Sequence, residues 1–109
     1  MSQRVAKVES LVLQVVATEL IQLVEHDAEK ITVTRVDVTP DLRSATVWVG
    51  LLGDKKSQER IWPEVTATIS RLQEAVAAKL QTKYVPRLTL KLDTGGEYAA
   101  KIDDLLRHI

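Results

Sequence analysis

The chain contains no cysteine. Neither a disulfide framework nor a thiolate metal site can be built from it, and folding requires no oxidising compartment. No apolar run approaches the ~20 residues of a membrane span. The start, Met1-Ser2-Gln3-Arg4-Val5-Ala6-Lys7, has no apolar segment ahead of a small-residue cleavage site. A cytoplasmic location without a membrane partner is therefore expected. Glycine and proline are scarce, at 4 and 3 residues, and there are neither repeats nor a low-complexity linker. An excess of charge of either sign is also missing, because 15 basic and 15 acidic residues cancel. Phosphate binding usually leaves a basic excess, so neutrality argues against a strongly electrostatic nucleic-acid binder. Any RNA contact has to rest on local clusters of charge.

What is present is ordinary globular composition, 45% hydrophobic and 28% charged over 109 residues. That length suits one domain spanning 1–109, in which folding buries roughly two-thirds of the surface of the unfolded chain. From Val5 to Val24, Val5, Val8, Val12, Val15, Val16, Leu20, Leu23 and Val24 recur at three- and four-residue steps. This spacing predicts a first helix, with Ser2 as its cap and Glu25-His26-Asp27 as its stop. Ile31 to Val38 is rich in β-branched residues, and Ala45, Val47, Val49 and Leu51 alternate with Thr46, Trp48 and Gly50. Two strands are predicted, joined as a hairpin by Thr39-Pro40-Asp41-Leu42. The apolar phase slips between Val33 and Val36, which predicts a bulge near Thr34-Arg35.

After the polar stretch Gly53-Asp54-Lys55-Lys56-Ser57, Pro63 suits the first turn of a helix. Val65, Ile69, Leu72, Val76 and Leu80 predict one continuous helix from there to about Tyr84, closed by Val85-Pro86. Leu88, Leu90 and Leu92 alternate as a third strand, Gly95-Gly96 breaks it, and Tyr98 to Ile109 reads as a terminal helix carrying Ile102, Leu105, Leu106 and Ile109 on one side. One apolar face on every strand predicts an α+β two-layer sandwich, a three-stranded sheet with helices on one face.

The run Ile31-Thr-Val-Thr-Arg-Val-Asp-Val-Thr-Pro-Asp-Leu42 followed by Ala45-Thr-Val-Trp-Val49 resembles the first hairpin of the ribosome-binding factor A family. Tyr84-Val-Pro-Arg-Leu88 followed by Leu92-Asp93 is similar to that family's approach to its last strand, and Gln3-Arg4-Val5 to the start of its first helix. The order and spacing of these segments carry the likeness over most of the chain. The resemblance implies a type II KH-like domain that binds the free small ribosomal subunit and its ribosomal RNA, and that assists late maturation of the 5′ end of that RNA. It also implies a kink in the long helix at an Ala-x-Gly sequence. The matching place is read as Ala75-Val76-Ala77, and since alanine is a strong helix former a weaker bend or none is expected there.

A KH clamp for single-stranded RNA needs a Gly-x-x-Gly loop between helices, and the sequence has none; Gly95-Gly96 follows a strand and reads as a turn. Recognition of RNA shape and phosphate geometry is the expectation instead. Arg71, Lys79, Lys83 and Arg87, around the second half of the predicted long helix, form the first candidate phosphate surface, against a solvated helix face favoured by the dipole. Arg4, Lys7, Arg43, Lys55 and Lys56 form the second, against ordinary solubilising charge. Trp48 points off the apolar face, available either for a base or for cross-strand packing, and Trp62 reads as a staple at a helix start.

Asp93-Thr94-Gly95 matches the triplet of aspartic proteases but comes late in a chain that is not all-β. His26 and His108 lack partners at metal spacing, and no phosphate-binding glycine loop carries a lysine. No catalytic role, cofactor, metal or small-molecule substrate is expected, and the state expected is a monomer. A small protein-interaction domain, docking a partner or itself through a sheet edge or helix face, is the competing reading.

Overall fold

The structure, a computed structural model, describes residues 3–80 and 84–94. Helix α1 (Gln3–Leu23) buries Val8, Val12, Val16 and Leu20, one residue every four, as the spacing requires. The chain leaves it through Asp27, which takes a left-handed backbone (φ 62) that aspartate tolerates, and a single 3₁₀ turn over Ala28–Lys30. Arg60 and Lys30 both pair with the Asp27 carboxylate, at 3.0 and 3.5 Å.

Strands β1 (Ile31–Val38) and β2 (Ser44–Leu51) form the expected antiparallel hairpin, and β3 (Arg87–Leu92) adds parallel to β2 in the order β1-β2-β3. The register shifts between Val33 and Arg35, so the phase slip in the sequence is a bulge at Thr34. At the hairpin turn the Thr39 hydroxyl meets the Asp41 carboxylate at 2.6 Å, and the Arg43 N–H donates to the same carboxylate. That self-contained turn holds Leu42 at φ 62, uncommon for a bulky residue, while its side chain packs against the core.

Helices α2 (Lys55–Thr66) and α3 (Ile69–Lys79) replace the single helix expected from Pro63 to Tyr84. The first helix starts eight residues before Pro63, because Asp54 accepts a hydrogen bond from the Ser57 N–H at 2.8 Å and caps it. Pro63 sits inside α2 instead of opening it. The interruption falls at Ala67-Thr68, and Ala75-Val76-Ala77 stay helical. Thr68, buried, donates its hydroxyl to the Val65 carbonyl at 2.7 Å, and its N–H turns to the same carbonyl at 3.1 Å. A hydroxyl that satisfies a carbonyl in the last turn of α2 ends it without solvent, and α3 starts again at Ile69. The second helix ends at Lys79 with Leu80 as its cap, short of Tyr84. The terminal helix expected over Tyr98–Ile109, Gly95-Gly96 and the cap at Ser2 lie outside the described residues.

The helices and the inward faces of the strands share one aliphatic core, in which Val12, Val16, Val47, Val49, Val65, Leu72 and Val76 have no exposed surface. With no phenylalanine in the chain, valine, leucine and isoleucine fill most of it. The α1 and β1 directions oppose each other: the Glu9 carboxylate near the start of α1 accepts the Val38 N–H at 2.9 Å, while Leu20 and Ile21 near its end line a cleft with Ile31 and Thr32. Helix α3 opposes α1 in turn, since Thr68 and Arg71 at its start lie with Leu23 and Val24.

Candidate nucleic-acid interface

These directions sort the cations by the end of the molecule on which they fall. Beside the hairpin turn, the Arg87 N–H donates to the Arg43 carbonyl at 2.8 Å, which brings together two residues from different candidate sets. Arg4 and Lys7 precede Glu9 on α1 and so reach the same end, and Lys79 closes α3 there; all five are exposed. Lys55 and Lys56, also exposed, open α2 beyond the far end of β2, away from this group. Arg71 departs from its expected set as well: it lines a cleft with Glu25 and Glu64 at the opposite end of α3 from Lys79. Lys83 lies outside the described residues. The expected four-cation helix surface is thus divided, and the basic end is assembled from both sets.

Sequence reasoning missed the residue that positions Arg87. Gln73 of α3 donates Nε2–H to the Pro86 carbonyl and accepts the Leu88 N–H through Oε1, each at 2.8 Å. Its amide thus grips the backbone on both sides of Arg87 and fixes where β3 begins. An isolated glutamine between apolar positions of a helix carries no signal of this use, because its partners lie 13 and 15 residues away.

The strand face turned from the helices is a second polar surface. In register across it stand Arg35, Trp48 and Lys91, one from each strand. The Arg35 guanidinium lies 5.0 Å and the Lys91 ammonium 5.6 Å from the centre of the indole ring. The indole N–H donates to Asp37 at 3.1 Å, and Asp37 also pairs with Arg35 Nε at 3.2 Å. At the bulge, Thr34 Oγ1 reaches across β2 to Asp93 Oδ2, 3.0 Å away, with the Trp48 carbonyl at 3.3 Å. Asp93 is therefore a cross-sheet tie. Exposed cation–π contacts contribute about 0.5–1 kcal/mol, whereas a base stacked on an aromatic ring contributes about 1–3 kcal/mol.

Two carboxyls are held below their ordinary value of 3.8. Asp41 is lowered first by the Thr39 hydroxyl, then by the Arg43 N–H and charge. Asp54 is lowered first by the Ser57 N–H and then by the Ser57 hydroxyl. Both belong to turns and caps. Among the described residues no cluster of three potential ligands could hold a metal ion, and no helix is long and apolar enough to cross a membrane.

The helix, two strands, two helices and parallel third strand make a KH-like domain of the type II order. A family model described as ribosome-binding factor A matches residues 4–106, and the chain belongs to that family. The ribosome-binding factor A of Akkermansia muciniphila is 31% identical over 109 residues, covering 100% of this chain and 86% of that protein. The crystal structure of ribosome-binding factor A from Thermus thermophilus superposes with a TM-score of 0.66 at 22% identity, over 81% of this chain and 93% of that one. A homology model of the Thermus thermophilus factor, fitted into a cryo-electron microscopy map of a 30S complex, has a TM-score of 0.55 at 19% identity, over 84% and 93%.

Proposed function

We propose that this chain binds the free small ribosomal subunit and its ribosomal RNA, and assists late maturation of the 5′ end of that RNA by binding, without catalysis. It does so in the cytoplasm, as a single KH-like domain and a monomer. The observation that carries this reading is the gathering of Arg4, Lys7, Arg43, Lys79 and Arg87 at one end of a chain whose net charge is zero. Local charge of this kind binds phosphates where the mean charge does not. The family, and the fit of the Thermus thermophilus factor into a map of its 30S complex, supply the partner.

The test is co-sedimentation with isolated small subunits over a range of salt concentrations. Replacing Arg43, Lys79 and Arg87 together with Ala weakens binding and lowers the salt slope by about one unit for each phosphate no longer neutralised. Replacing Lys55 and Lys56 leaves both nearly unchanged. Equal effects of the two sets would remove the basic end from the reading. A second reading, docking of a protein segment, has one observation in its favour: β1 is a sheet edge flanked by a cleft whose rim carries Ile21, 53% exposed, and Leu13, 37% exposed. Loss of co-sedimentation in Ile21→Asp, with the basic-end variant unaffected, would favour it.

A further inference from the structure

The cations of the basic end leave the centre of the open sheet face unused. Its outward residues include Arg35, Arg87 and Lys91 against two carboxylates, Asp37 and Asp93, the second turned to Thr34 across β2, which leaves a positive excess in a chain that is neutral overall. Among the described residues nothing covers this face. Trp48 stands at its middle on the central strand, with a cation in register on either side and its indole N–H anchored to Asp37.

We propose that this face binds a segment of single-stranded RNA, with one base stacked on Trp48 and its flanking phosphates held by Arg35 and Lys91. The proposal rests on the RNA-binding reading above and names the form of RNA this face takes. The chemistry selects the occupant in three steps. A lone ring among charges and hydroxyls is no apolar patch for a protein or a lipid, whereas a net positive surface around it complements an anion that carries flat apolar faces. Duplex RNA keeps its base faces inside the stack, so a tryptophan on an open sheet is offered none; an unpaired strand offers one at every residue. Finally, the ligand-free partners of the ring are long exposed cations in a contact weaker than base stacking. A base displaces one of them, and the displaced charge lies beside the incoming phosphate. Because the indole is pinned through Asp37 and the strand through the ladder on both sides, the ring itself is ordered before the ligand arrives.

The test uses the full chain with Trp62→Phe, which leaves Trp48 as the remaining tryptophan of two. Titration with a short single-stranded oligoadenylate carrying a fluorescent end label is followed by Trp48 emission and, so that variants without Trp48 can be compared, by anisotropy of the label. Quenching of Trp48 is expected, with affinity lowered about tenfold by Trp48→Ala, largely retained by Trp48→Phe, and made less salt-dependent by Arg35→Gln with Lys91→Gln. A stable hairpin RNA of the same length should quench little. Absence of quenching, equal affinity of the Ala and parent proteins, or equal quenching by the hairpin would overturn the proposal. Co-sedimentation with small subunits, run in parallel, separates the two readings. Subunit binding without oligoadenylate quenching sinks this inference alone, whereas oligoadenylate binding that requires Trp48, with no subunit binding, sinks the subunit reading alone.

Discussion

The two faces of the same three strands have opposite chemistry. On the covered side Val33, Val36 and Val38 of β1, Ala45, Val47, Val49 and Leu51 of β2, and Leu88 of β3 join the core or pack against it. On the open side the residues between them are Thr32, Arg35 and Asp37, then Thr46 and Trp48, then Thr89 and Lys91. A strand puts successive side chains on opposite faces, so a single residue separates the least replaceable position from one that is free to serve recognition. The bulge at Thr34 matters for this reason. Were Thr34 paired in strict alternation instead of bulged, the second half of β1 would present Val36 and Val38 outward and bury Arg35 and Asp37.

The largest expected effect comes from placing the same charge on each face. Val47→Asp buries an unpaired carboxylate at a position with no exposed surface, and a loss of more than about 4 kcal/mol, enough to unfold a small domain, is expected. Thr89→Asp, exposed on the open side, should alter stability by about 0.5 kcal/mol or less. Urea denaturation of the two variants measures the contrast, and similar losses would mean that the open face is buried in solution.

An intermediate effect is expected where helix and sheet meet. Gln73→Leu removes both amide bonds to the Pro86 carbonyl and the Leu88 N–H, and should cost about 1–3 kcal/mol. Small-subunit binding should weaken as well, because Arg87 loses its fixed place. Unchanged denaturation midpoints would show that β3 is positioned by its ladder to β2 alone.

The smallest effect belongs to the caps and turns, outside both faces. The Asp54 carboxyl is lowered in the folded state by the Ser57 N–H and hydroxyl, so the stability it contributes is full above its unfolded value of 3.8 and fades as pH falls through the lower folded value. Asp54→Asn keeps an oxygen to cap α2 but cannot titrate. The melting temperature of the parent should therefore fall more steeply than that of the variant below about pH 4, with the two curves parallel near neutrality. Parallel curves throughout would show that the cap does not depend on charge.

Features that repeat at short range could be read along the chain: α1 from its four-residue valine spacing, the three strands from alternation, the bulge from a slip in phase, and the hairpin turn from Thr39-Pro40-Asp41. Each is set by neighbours a few residues apart, and the apolar face then dictates which side meets the helices. Other features depended on contacts between distant parts of the chain. The periodicity of Val65, Ile69, Leu72 and Val76 is uninterrupted at Ala67-Thr68, yet the helix breaks there, where the hydroxyl and the N–H of buried Thr68 both turn to the Val65 carbonyl. The early start of α2 hinged on the Asp54 cap, since its first turns are polar and show no apolar stripe. Neither the grip of Gln73 on β3 nor the meeting of Arg43 with Arg87 is local. Charges on separate elements become one surface only when antiparallel packing of α1 on β1 and a parallel β3 carry them to a common end, and charge, unlike apolarity, leaves no period along the chain to announce it.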